Sequence, residues 1–103
     1  MRLTIRNIQE FLRPEYFVLF AVDGFTAQVS ASALHYSDPR NDHGPWRKAE
    51  VRYLSQTYTP LNLYAEDKKD LLNTVYRYVP LDIVCNMFNE HKGLDVERVK
   101  TQI

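Results

Sequence analysis

The sequence predicts an α+β domain: a three- or four-stranded antiparallel sheet built on a β-hairpin, with C-terminal helices packed on one face. Three observations lead there. Residues 16–33 contain two apolar runs separated by Asp23-Gly24, the strongest short-range hairpin signal. Strand-like segments come first, and a 3.6-residue apolar period takes over from Glu66, as expected when helices cover one face of an antiparallel sheet. A chain of 103 residues that is 45% hydrophobic and 13% aromatic can fill a core, so residues 1–103 are read as a single domain.

A two-residue type I′ turn on Asp23-Gly24 fixes a register in which Val22 faces Phe25, Phe20 faces Ala27, Val18 faces Val29 and Tyr16 faces Ala31. Opposed side chains share a face, so all of these point into the core. Phe17, Leu19 and Ala21 then lie on the other face beside Thr26, Gln28 and Ser30. A first strand that is apolar on both faces is either central or meets another surface. Phe17 and Leu19 thereby become candidates for binding or self-association. Ala27, Ala31 and Ala33 on the core face would let a helix approach closely.

The remaining elements follow in order. Residues 2–6 alternate like a short strand. Asn7 and Glu10 then form a capping-box pattern for a helix stopped by Pro14; one helix over residues 3–12 is the alternative. Residues 37–45, SDPRNDHGP, form a loop, either functional or mobile. Strand character resumes over residues 46–58, Thr59-Pro60 breaks it, and Leu61 and Leu63 suggest a short extended piece. Leu71, Leu72, Val75, Tyr76 and Val79 share a helical face, with Asp67 as N-cap. Pro80 suits the first turn of a second helix carrying Leu81, Val84, Met87, Phe88 and His91 on one side. Together residues 67–89 are expected to cover the apolar face of the hairpin. Gly93 fits a left-handed C-cap, Asp95 caps a last short helix, and Leu94 and Val99 form its hydrophobic staple.

A formal net charge of zero argues against bulk duplex DNA, an anionic membrane surface or an acidic DNA mimic. A single cysteine, Cys85, allows no intramolecular disulfide and favours a reducing compartment. No apolar run is long enough to span a bilayer, and Arg6, Asn7, Gln9 and Glu10 interrupt what would be a signal-peptide core. The expected location is cytoplasmic.

Candidate chemistry is sparse. Asp38, Asp42 and His43 share the loop and His35 precedes it, which suggests a His/Asp hydrolytic site; the plainer account is a solvated loop of turn formers. Nothing matches a metal-ligand spacing, and neither metal nor cofactor is expected. Cys85 reads as a buried, inert thiol. Aromatic and basic residues interleave at Trp46-Arg47-Lys48, Arg52-Tyr53 and Tyr76-Arg77-Tyr78. Such a pattern serves either a single-stranded nucleic-acid platform or a protein interface, where Tyr, Trp and Arg are enriched.

The function these residues favour is a small protein-interaction domain acting by binding. It would be an inhibitor, adaptor or accessory factor of the kind common in phage and mobile elements, self-associating through Phe17 and Leu19 or along a sheet edge. Its binding candidates are Phe17, Leu19, Trp46, Arg47, Arg52 and Tyr53. The alternatives are a single-stranded nucleic-acid-binding protein and a small hydrolase or nuclease using His43, Asp42, Asp38 and His35.

Overall fold

In a computed structural model the structure describes residues 1–12 and 18–102. Four antiparallel strands lie in sequence order: β1 (Val18–Phe20), β2 (Thr26–Ser30), β3 (Lys48–Arg52) and β4 (Tyr76–Pro80). Helices are α1 (Ile5–Ile8), α2 (Leu81–Glu90) and α3 (Val96–Lys100). The architecture is the α+β fold expected.

The hairpin closes differently from the two-residue expectation. Val18 faces Gln28, Leu19 faces Ala27 and Phe20 faces Thr26. The loop is therefore three residues, Val22-Asp23-Gly24, closed by the Ala21 amide donating to the Phe25 carbonyl at 2.8 Å. A type I′ turn needs positive φ at both central positions, but only Gly24 has it, at +98°. This is the three-residue loop in which one left-handed glycine makes a bulge. The Asp23 carboxylate instead accepts the Phe25 amide at 3.0 Å.

A one-residue shift reverses the faces of one strand. Leu19 and Ala21 are buried at 0% and 1% exposure, whereas Val22 is 53% exposed and Val18 and Phe20 are half-buried. Leu19 is thus a core residue and not part of an outer surface. Phe17 lies outside the described residues. The β2 face is as expected through Phe25, Ala27, Val29 and Ala31, but Ala33 is exposed.

The core lies between this face and α2, which buries Leu81, Val84, Cys85, Met87 and Phe88. Burial of each large apolar side chain contributes about 1.5–3 kcal/mol. Pro80 occupies the N-cap position of α2, and the Gly93 amide reaches back to the Phe88 carbonyl at 2.9 Å. Gly93 has φ +88°. Asp95 caps α3 through the Arg98 amide, and Leu94 and Val99 are both in the core.

Other expectations need correction. Residues 67–79 do not form a helix: Asp67 accepts the Lys69 amide in a local turn, and residues 76–80 are β4. Leu72 is 43% exposed, so no continuous apolar face exists there. Pairing with β3 places Tyr76 opposite Val51 and Val79 opposite Ala49, all buried, and that burial decides for strand over helix. Residues 61–63 belong to a 3-10 segment, Thr59–Tyr64, and the strand after Trp46 is confined to Lys48–Arg52. Near the N-terminus Thr4, rather than Asn7, is the N-cap, in a reciprocal box with Asn7; the segment over residues 5–11 is closer to the single-helix alternative.

Both edges of the sheet are occupied. Along β1, Ala21 bridges Leu94, the Asp95 amide donates to Phe20 and the Val22 amide to Gly93. The Gln102 carboxamide accepts the Val18 amide and donates to its carbonyl. Along β4, Ala65 bridges Tyr76, and the Tyr78 amide donates to the Tyr36 carbonyl at 3.1 Å. The same carboxamide device recurs between Gln9 and Trp46 and between Asn89 and Leu3. A side-chain amide has one donor and one acceptor disposed like a peptide, so each acts as a one-residue strand.

Candidate functional site

The sheet face turned away from α2 begins with alternation. Ala49 and Val51 enter the core, so Lys48, Glu50 and Arg52 project the other way. Register places Ser30 opposite Glu50 and Gln28 opposite Arg52. The chain after β2 crosses part of this face. Ser32, His35 and Ser37 are buried beneath it, Ser32 Oγ lies 2.6 Å from His35 Nδ1, and the Tyr36 amide donates to the Glu50 carboxylate at 3.3 Å.

Tyr36 then becomes the centre of a cluster. The Arg77 guanidinium lies 4.4 Å from its ring centroid and that of Arg40 5.3 Å. The Tyr78 ring meets it edge-on at 5.8 Å. Further along β3, the Arg52 guanidinium lies 5.0 Å from the Tyr53 centroid. Each exposed cation–π contact of this type contributes about 0.5–1 kcal/mol.

Two of these tyrosines have left-handed backbone, Tyr53 with φ +54° and Tyr78 with φ +51°. Both are exposed, at 53% and 39%. For a bulky side chain this conformation costs roughly 1–2 kcal/mol, and such strain concentrates at functional positions. Buried donors without partners sit on the same side: Gln28 Nε2, Arg52 Nε and Arg77 Nε.

The sequence-derived candidates divide. Arg52 and Tyr53 are together. Trp46 is not a stacking platform: it is 6% exposed, its Nε1 donates to the Asn41 carbonyl at 3.2 Å, and a Cβ at Gly44 would lie 2.7 Å from its ring. The loop over residues 37–45 is folded onto this indole. Arg47 pairs with Asp38 at 3.1 Å in the open.

The His/Asp constellation does not converge. Asp42 accepts the Ala33 amide at 2.9 Å, Asp38 binds Arg47, and His35 is buried against Ser32. Among the described residues no hydrogen bond or ion pair joins the exposed His43 ring to either carboxylate, and no three His, Cys, Asp or Glu side chains are grouped to hold a metal ion. Cys85 is 4% exposed, and burial, reinforced by Asp82, pushes its thiol up to about 11. A thiol held neutral is a poor nucleophile.

Sequence reasoning missed Tyr36 and Arg40. Their role depends on the crossing of residues 32–38 over the sheet, which leaves no periodic trace. Arg77 and Tyr78 stand in the sequence as an interleaved pair, but the apolar spacing around them predicts a helix where the structure has β4.

Elsewhere the surface offers shallow clefts. One is bounded by Arg2, Tyr58, Asn86, Asn89 and Glu90, with the Tyr58 hydroxyl pushed up to about 12 by burial and by Glu90. Another is apolar, between Pro60, Leu63 and Leu71. Among the described residues no helix is long and apolar enough to cross a membrane. In comparisons with known proteins, the chain matches no family model, no curated protein and no solved structure.

Proposed function

We propose that the protein acts by binding another protein through the Tyr36, Tyr53 and Tyr78 surface, as an inhibitor, adaptor or accessory factor. The observation that carries this is the pair of exposed tyrosines, Tyr53 and Tyr78, held at positive φ with arginines packed beside the cluster. In return for that strain each ring makes only a surface contact, Tyr53 with Arg52 and Tyr78 with Tyr36. Tyrosine and arginine are the residue types that dominate interface energetics, because they supply large contact area and directional donors together. The single buried cysteine is consistent with action in a reducing compartment such as the cytoplasm.

Self-association loses its motivation, since Leu19 is in the core and both sheet edges are occupied. Single-stranded nucleic acid is disfavoured by two features. The only tryptophan is buried, and the Tyr36 and Tyr53 rings already carry guanidinium groups.

Glycine at positions 53 and 78 provides the test. Tyr53→Gly and Tyr78→Gly relieve the left-handed conformation, so both variants should keep a Tm close to wild type. Affinity capture from cells of the source organism should return a protein with wild-type bait and lose it with the double variant. Equal capture by the two baits, or capture by neither, argues against the proposal.

A further inference from the structure

The identity of the contacting group follows from the charges around Tyr36, and this inference rests on the protein-binding proposal. Two guanidinium groups converge on that ring, at 4.4 and 5.3 Å from its centroid. Arg77 is ion-paired with Glu66. Arg40 has no carboxylate partner among the described residues. The acids nearest to it in sequence are turned elsewhere, Asp38 to Arg47 and Asp42 to the Ala33 amide. Exposed Arg40 thus rests on an aromatic face with its rim of N–H donors open.

We infer that Arg40 and Arg77, walled by Tyr36 and Tyr78, form a docking point for a carboxylate side chain, Asp or Glu, in an acidic segment of the partner protein. A guanidinium presents a planar fork of donors that matches a carboxylate, and packing over a ring restricts its orientation before binding. An incoming carboxylate meets the guanidinium donors that exposed Arg40 leaves open in the free protein. Glu66 already satisfies Arg77 from one side, so one further anion balances the pair. A phosphodiester backbone fits less well: its anions lie along an extended strand, and the chain as a whole has zero formal charge to attract it.

The experiment is an NMR titration of the intact protein at low salt with a hexaglutamate peptide, in parallel with a ten-residue oligothymidine. Variants are Arg40→Gln and, as an exposed arginine remote in sequence from the cluster, Arg6→Gln. The Arg40 and Arg77 side-chain NH and the Tyr36 and Tyr78 ring resonances should shift with hexaglutamate. Affinity should fall at least tenfold in Arg40→Gln and stay within twofold in Arg6→Gln, with Tm unchanged in both. Absence of these shifts, equal affinity in Arg40→Gln, or oligothymidine binding as tightly as hexaglutamate overturns the inference. Partner capture that survives Arg40→Gln but is lost with Tyr53→Gly/Tyr78→Gly overturns this docking point while leaving the protein-binding proposal standing. Capture insensitive to all the variants overturns both.

Discussion

The His91 imidazole lies flat on the Phe25 ring, with centroids 4.2 Å apart and planes 7° from parallel. The same imidazole places Nδ1 2.8 Å from the Asp23 carboxylate, and Phe25 meets Phe88 edge-on at 5.4 Å. The hairpin loop is therefore clamped to the C-terminus of α2 by a ring stack and a hydrogen bond acting on neighbouring parts of one turn.

This clamp has an acid dependence. The Phe25 amide, and after it His91, hold the Asp23 carboxyl below its ordinary value of 3.8. A carboxylate with a lowered folded-state pKa stabilises the fold fully above its unfolded value and loses that contribution as pH falls through the folded value. Asp23→Asn should therefore lower Tm most well above pH 3.8, and the difference should shrink as the pH is taken progressively below that value. Thermal melts across that range check the sign; a constant difference at all pH values would contradict it.

The three-residue loop predicts a reversal of mutational sensitivity along β1. Leu19→Ala removes a side chain with 0% exposure and should cost about 2–5 kcal/mol. Val22→Thr alters a residue that is 53% exposed and should stay within about 0.5 kcal/mol. A two-residue turn would give the opposite ranking in urea unfolding.

How far this could be read in advance differs by element. The β2 face was legible because alternation in Phe25, Ala27 and Val29 does not depend on the partner strand. The β1 face was not, because it follows from register, and register turned on whether Asp23 or only Gly24 takes positive φ. In the second half, Gly93 and Asp95 marked boundaries through local chemistry and stood where expected, whereas Pro80 ends β4 and occupies the N-cap instead of the first turn of α2. The Leu71–Val79 apolar spacing misled, since a turn followed by a strand satisfies it equally once β3 is available to pair. At the surface, Arg52-Tyr53 and Arg77-Tyr78 are neighbours in sequence and therefore visible. The convergence of Arg77 and Tyr78 with Tyr36 and Arg40 is a property of the chain path alone.

Two glycines with similar backbone should respond differently to alanine. Gly24 (φ +98°) has nothing within 4 Å of an added Cβ, whereas at Gly93 (φ +88°) that carbon would sit 2.7 Å from the Met1 carbonyl oxygen. Gly24→Ala should cost only the left-handed penalty of about 1–2 kcal/mol. Gly93→Ala should cost more, because it also displaces Met1, whose backbone exchanges hydrogen bonds of 2.8 Å in both directions with Leu94. Equal losses in denaturant titrations would show that Met1 gives way freely.

The Asn89 carboxamide accepts the Leu3 amide at 2.7 Å and donates to its carbonyl at 2.9 Å. A carboxylate can accept but not donate. Asn89→Asp should lose about 1–2 kcal/mol at neutral pH, with faster hydrogen exchange at the residues flanking Leu3. Retained stability would mean that the donor half of the pair contributes nothing.

Cys85 should resist alkylation by iodoacetamide at pH 8 in the folded protein, since its thiol is pushed up to about 11, and should react readily in denaturant. Rapid labelling under native conditions would place the thiol at the surface.

The occupied edge of β1 also has a temporal meaning. Its partners are Gly93, Leu94, Asp95 and Gln102, some 70–85 positions further along the chain. During synthesis the hairpin emerges long before any of them, with bare strand groups of the kind that pair with other chains. The hairpin is thus a nascent-chain hazard until residues 93–102 have been made.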